Sequence, residues 1–496
     1  MIFSKERGNS MNIGYDNDKY LRTQSEHIRE RIEKFDNKLY LEFGGKLFDD
    51  YHAARVLPGF AADSKLQMLM QLSDQAEIVM VVSVEDIIKN KIREDYGITY
   101  DDDVVRLIDA FRSKGLFVGS VVLTRYTEHH AVAHFQKRLE SLGVKVYHHY
   151  TIPGYPNDVS QIVSDNGFGK NDYIETSRPL VVVTAPGPGS GKMATCLSQL
   201  FHEHKRGVRA GYAKFETFPI WNLPLDHTVN LAYEAATADL NDINMIDPYH
   251  MKAYGVTAVN YNRDVEIFPV LNAIFVKIFG TSPYASPTDM GVNMVGNCII
   301  DDEICREASR QEIIRRYYKA LVGVADGTRT EEELNKIEML MRQEDLSVTN
   351  RPVVPPARMR AEVTGAAAAA IELADGRIVT GKAGALLGSS ASVLVNALKE
   401  LANIPHDHLI LSPESIAPIQ ALKTQYLGSK NPRLHTDEVL IALSVTAATN
   451  AEAALALKQL PKLRNCQLHS TVMLTSVDLK TFKKLMCDVT CDAKTE

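Results

Sequence analysis

The chain has 496 residues, 45% hydrophobic and 24% charged, with 55 Lys and Arg against 62 Asp and Glu for a formal charge of −7. That balance argues against a disordered chain and supplies no basic footprint for nucleic acid. No window approaches the roughly 18 uninterrupted apolar residues of a membrane span, and residues 1–10 are too polar for a secretory signal. Six cysteines in so long a chain make no disulfide framework. The expectation is a cytoplasmic protein with neither nucleic-acid nor membrane partner, and a length near three domains of roughly 150 residues.

Strand-like runs fall at Leu39–Phe43, 78–82, Phe117–Thr124 and 144–150, with helical patterns between them. Ala131, Phe135, Leu139 and Leu142 share one face of a helix read as starting at the cap-type residue Thr127 and stopping at Gly143. Alternation of this kind predicts βαβ units and a mostly parallel sheet. A further strand, Leu180–Thr184, runs into a Gly-rich turn and then a helix with Met193, Leu197, Leu200, Phe201 and His204 on one face. A β-like run follows at 209–215, then helical patterns at 264–279, 303–322 and 330–346. The Pro-rich stretch 351–356 reads as a linker. Beyond it, 371–379 predicts two strands around an Asp-Gly turn, and further strands are expected at 409–411 and 470–474.

These patterns predict an α/β protein with mostly parallel sheets, in a Rossmann-like or P-loop-like three-layer arrangement. The regions are 1–175, 176–350 with a helical extension, and a separate C-terminal α/β domain at 357–496. The first two share one continuous sheet or face each other across a cleft.

The strongest chemical signal is residues 181–195, Val-Val-Val-Thr-Ala-Pro-Gly-Pro-Gly-Ser-Gly-Lys-Met-Ala-Thr. A helix N-terminus offers unpaired N–H groups and partial positive charge, and glycines let that backbone approach a phosphate. Gly187, Gly189, Ser190 and Gly191 would cradle the phosphates of ATP or another nucleotide, and Lys192 would neutralise them. The P-loop pattern is incomplete, because Pro186 stands where the first glycine belongs and Met193 replaces the hydroxyl that reaches Mg²⁺. CTP synthetases are similar over about fifteen residues, with a threonine three residues after the lysine, the position of Thr195 here. The dinucleotide fingerprint fails, because residue 192 is Lys rather than Gly. The plain alternative is a Pro-stiffened strand-to-helix turn with an exposed lysine.

Without the P-loop hydroxyl, Mg²⁺ would need Thr195 or carboxylates from elsewhere. Asp239, Asp242 and Glu234 in the acid-rich 233–247 segment are candidates; each also reads as a solvated helix face or cap. Ligands of open α/β sheets bind beyond the strands' carboxyl ends, which selects Ser83, Glu85, Arg125, Thr127 and His130. Arg125 can clamp an anion bidentately, Lys214 can add a second phosphate contact, and Asp289 lies in the polar 286–293 loop. Lys214 also reads as an exposed strand-end lysine, and Asp289 as a turn residue. The small residues at 380–390, leading into a helix, are a second candidate for admitting a ligand phosphate or another backbone, with close helix–strand packing the preferred reading. His130 and His134 are spaced i, i+4 without the glutamate of a zinc-protease motif, and Cys487 and Cys491 lack a second pair, so no zinc is expected.

Across 43–50, 185–192, 235–242, 286–293 and 428–435 the chain resembles a bacterial family of about this length whose function is uncharacterised. Some relatives carry a label of ATP-dependent zinc protease or peptidase; the residues give the ATP part partial support and the zinc part none. The leading expectation is a cytosolic nucleotide-utilising phosphotransferase or ligase acting on a small anionic metabolite, in a homo-oligomer. Its catalytic groups would be Lys192, Asp239 and Asp242, its substrate contacts Arg125, Lys214 and Asp289, and its metal ligands Thr195 and Asp239. The alternatives are a binder of a phosphorylated metabolite that splits no nucleotide, and a non-catalytic assembly protein.

Overall fold

Strands from both sides of residue 175 join in one sheet. They are β1 (Leu39–Phe43), β2 (Ala76–Ser83), β3 (Phe117–Thr124), β4 (Lys145–His148), β5 (Leu180–Thr184) and β6 (Gly211–Phe215), all parallel, in the order β4-β3-β2-β5-β1-β6. The structure, a computed structural model, describes residues 13–45, 47–93 and 97–495. Of the two arrangements left open for the first and second regions, one continuous sheet is the one observed. β1, β2 and β5 are buried along their whole length, which is why they read as unbroken apolar runs rather than alternating ones.

The helices that frame the sheet are α1 (Asn17–Lys34), α2 (Tyr100–Ser113), α3 (His130–Ser141), α4 (Lys192–Lys205) and α5 (Asn262–Phe279). α3 begins three residues later than Thr127: its cap is His129, whose Nδ1 accepts from the Ala131 N–H at 3.2 Å. The chain leaves β3 through Arg125 at φ +52°, and the Tyr126 N–H then donates to the His149 carbonyl beyond β4. Residue 127 is therefore still crossing between strand ends where a helix was expected. A short antiparallel pair, β7 (Asn244–Ile246) and β8 (Val259–Tyr261), precedes α5.

Among the described residues, 13–234 together with 241–309 form one compact unit; 235–240 and 310–495 form the other. The second unit carries α6 (Val354–Thr364), α7 (Ser389–Leu401) and a four-stranded sheet of β9 (Ala368–Glu372), β10 (Ile378–Lys382), β11 (Gln467–Ser470) and β12 (Asp488–Cys491). Its order is β10-β9-β11-β12 and it is mixed, with only the β11–β12 pair parallel. The Asp-Gly turn is present, with Gly376 at φ +81°, and so tight a turn joins antiparallel strands.

Two local expectations are corrected here. The Pro-rich stretch is not a linker: Pro355 and Pro356 lie in the first turn of α6, where a missing N–H costs nothing, and Arg351 before it is 1% exposed. Residues 409–411 form no strand, and nearby backbone is held instead by Lys399 Nζ, which donates to the carbonyls of His406 and His408. At Gly381 an added Cβ would meet the Val393 backbone nitrogen at 2.2 Å, so this glycine serves close packing of α7 on β10, whereas a Cβ at Gly384 would meet open space. No described helix is long and apolar enough to cross a membrane.

Candidate functional site

β2 leads to β3 and β4 on one side, and the chain then returns to β5 on the other. The crevice between β2 and β5 is thus a point where strand order reverses, the place where open α/β sheets bind ligands. The Gly-rich loop 185–191 leaves β5 there and ends in α4, whose first residue is Lys192. Gly189 and Gly191 have φ of +73° and +96°, left-handed values that a side chain would strain. Gly191 caps α4 without a side-chain acceptor, so the first N–H groups of the helix are left to a ligand or solvent. Gly187 serves contact instead, since a Cβ there would lie 2.3 Å from Tyr100 Oη.

Neighbouring strands hold the loop in place. Thr124 at the end of β3 donates from Oγ1 to the Ser190 carbonyl at 2.6 Å. Ser190 is 1% exposed, yet its hydroxyl has no hydrogen-bond partner among the described residues; nor does that of Ser83 at the end of β2. Lys192 is half-buried and makes no ion pair among the described residues. Arg125 lies at the same end of the sheet, with its Nη1 3.2 Å from Glu85 Oε2 and both side chains about half exposed. Thr195 is 0% exposed on the inward face of α4, its hydroxyl likewise without a partner.

Lys214 and Asp289 meet elsewhere, in a cleft of about 230 Å³ at the β6 edge. Lys214 Nζ contacts Asp264 Oδ2 at 2.5 Å and Glu216 Oε1 at 3.1 Å. The 286–294 loop extends the sheet edge, with the Val292 N–H donating to the Lys214 carbonyl at 2.9 Å. Arg31 of α1 anchors that loop by donating to the carbonyls of Asp289 and Gly291. Asp289 Oδ2 accepts from Tyr254 Oη at 2.6 Å and from the Ala285 N–H at 3.0 Å. Burial pushes the Glu216 carboxyl up to about 7; Lys214 opposes the rise and the Asp264 and Glu42 carboxylates add to it. Burial would lower the Lys214 ammonium, but Asp264, Glu216 and Glu42 together hold it above its ordinary value.

The chain matches the family described as domain of unknown function DUF1846, N-terminal, over residues 13–345, and its C-terminal counterpart over residues 349–496. It belongs to the DUF1846 family. Similar proteins carry the name UPF0371. One from Corynebacterium urealyticum is 58% identical over 97% of both chains, and one from Corynebacterium diphtheriae is 58% identical over the same shares. Another from Streptococcus uberis is 56% identical, again over 97% of both chains.

Within this DUF1846 chain the residues singled out from sequence fall in several places. The loop glycines, Ser190, Lys192, Thr195 and Arg125 belong to the β2–β5–β3 end of the sheet, and Lys214 and Asp289 to the β6 cleft. Asp242 is 4% exposed before β7, with Arg263 Nη2 3.4 Å from its Oδ2. Asp239 is exposed in the 238–240 turn, which belongs to the second unit. Sequence reasoning missed Tyr100 and Thr124 beside the loop, and Arg31, Trp221, His250 and Asp264 on the cleft. One signal was available: Lys214 and Glu216, two apart at a strand end, point to the same side.

Proposed function

We propose that this protein binds the phosphate end of a small phosphorylated molecule, with a nucleotide as the leading ligand, at the loop 185–191 and the first turn of α4. Lys192 carries the reading: a lysine without an ion pair among the described residues, at the start of a 14-residue helix, beside two left-handed glycines at a reversal of strand order. The backbone N–H groups and the helix dipole would hold the phosphate oxygens, and Lys192 would offset their charge. In a phosphotransferase or ligase the same groups would stabilise charge on the transferred phosphoryl group. Arg125 would position an anionic co-substrate at the neighbouring strand end.

Binding of a phosphorylated metabolite without nucleotide cleavage is the second reading, and one observation favours it. Met193 takes the place of the metal-binding hydroxyl, and the Thr195 hydroxyl is buried. Any Mg²⁺ would then have to be carried by the ligand's own phosphates and water. Calorimetry with ATP, ADP and inorganic phosphate, with and without Mg²⁺, tests both. Nucleotide binding that Lys192→Ala abolishes supports the first reading, and Mg²⁺-independent phosphate binding lost in the same variant supports the second. Equal binding, or none, in wild type and variant removes both.

A further inference from the structure

The cleft beside β6 has its own chemistry. At about 230 Å³ it is smaller than the roughly 300–1,000 Å³ of drug-sized sites and suits a small metabolite. Three carboxylates line it, Glu216, Asp264 and Asp289, against two cations, Lys214 and Arg31, and two histidines, His27 and His250. Both cations are already engaged: Arg31 by the carbonyls of Asp289 and Gly291, Lys214 by Asp264 and Glu216. An anionic guest would therefore have to displace a partner from a cation, whereas Glu216 and Asp264 each meet Lys214 through one oxygen and keep the other to accept from a cation. The Trp221 indole N–H is spent on the Asn293 carbonyl at 2.9 Å, which leaves the ring as a π surface for an alkyl chain or a positive charge.

We propose that this cleft binds a small metabolite carrying a protonated amine, with Glu216 and Asp264 accepting its N–H groups and Trp221 lying against its carbon skeleton. The site stands apart from the Gly-rich loop, and its occupancy does not depend on phosphate binding there. Charge-assisted hydrogen bonds to a carboxylate are stronger than neutral ones, so replacing one such acceptor by an amide weakens the ligand by about tenfold or more.

The test is calorimetry on the full chain with lysine, ornithine and putrescine as amine probes, and succinate and inorganic phosphate as anionic ones. At least one amine binds at millimolar concentration or below, Glu216→Gln weakens it about tenfold, and Lys192→Ala leaves it unchanged. Thermal melts of each variant check folding, and Asp264→Asn repeats the test should Glu216→Gln fail to fold. The proposal is overturned if no amine binds. It is equally overturned if succinate competes for the cleft, or if folded Glu216→Gln and Asp264→Asn both bind the amine as wild type does. Phosphate binding that Lys192→Ala removes and Glu216→Gln preserves keeps the loop's fate separate from the cleft's.

Discussion

Thr124 donates its hydroxyl hydrogen to the Ser190 carbonyl at 2.6 Å, so the end of β3 grips the Gly-rich loop from two strands away. Both residues are buried, and removing the donor leaves a carbonyl with an unmet acceptor. Thr124→Val keeps the shape and deletes the bond. The expected cost is about 1–3 kcal/mol, shared between global stability and loop order. A denaturant melt measures the first share, and a several-fold loss of phosphate affinity measures the second. A variant unchanged in both would show that the bond does not hold the loop.

Gly191 joins that loop to α4 at φ +96°, and a Cβ there would come within 3.2 Å of Thr124 Cγ2. Gly191→Ala is therefore expected to cost about 1–2 kcal/mol in backbone strain alone. Its melting temperature should fall, and phosphate binding should weaken more than in Gly207→Ala. Gly207 is also left-handed, at φ +80°, but its added methyl meets open space at the end of the helix away from the loop.

Much of this architecture could be read before any coordinates. The runs that became β1, β2, β3 and β5 are apolar enough to be recognised singly, and the loop lies where its strand and helix patterns meet. Strand order could not be read. β1 sits between β5 and β6, and that pairing joins Leu41 to Val182 and Ala213, far along the chain. The cleft was illegible for a similar reason. Arg31, Trp221 and Asp264 carry no shared motif, and they gather only because α1, the 286–294 loop and the start of α5 converge on the β6 edge. The shift of the α3 cap from Thr127 to His129 was decided by where the backbone crosses after Arg125, a matter of tertiary geometry rather than residue type.

Lys65 and Asp50 form a buried pair at 2.8 Å, with side chains 3% and 12% exposed. Burial would raise the Asp50 carboxyl, but the Lys65 ammonium holds it below its ordinary value. Lys65→Met strands that carboxylate and is expected to cost about 3–5 kcal/mol by chemical denaturation. Adding Asp50→Asn should restore part of the loss. Equal losses in the single and double variants would mean that the pair is not the source. A depressed carboxyl stabilises the fold above its unfolded value and loses that contribution as pH falls through its folded value, so the wild-type advantage should shrink on strong acidification.

Glu216 should make amine binding pH-dependent near neutrality. It accepts an ammonium as a carboxylate, and burial pushes its carboxyl up to about 7. Lys214, Asp264 and Glu42 act on its charge, Tyr233 and Tyr261 lie in its field, and His27, Arg31, His250 and Asp289 line the same cleft. Tyr233 and Tyr261 are both raised by burial and stay neutral across this range. Amine affinity is then close to full by about pH 8 and falls about tenfold between pH 8 and pH 6. The stability effect has the opposite sign. Between its ordinary value of 4.5 and about 7 the folded chain holds a proton that the unfolded chain has lost, so this group favours folding less as pH rises. Glu216→Gln should flatten both profiles.

Locating a bound phosphate is the most direct measurement. A crystal structure of the full chain with a non-hydrolysable ATP analogue or with inorganic phosphate should place phosphate oxygens within hydrogen-bonding distance of the N–H groups of residues 190–193 and of Lys192 Nζ. Phosphate found only elsewhere, with the first turn of α4 bound to water and Tyr100 still closed over Gly187, would contradict a ligand site at this loop.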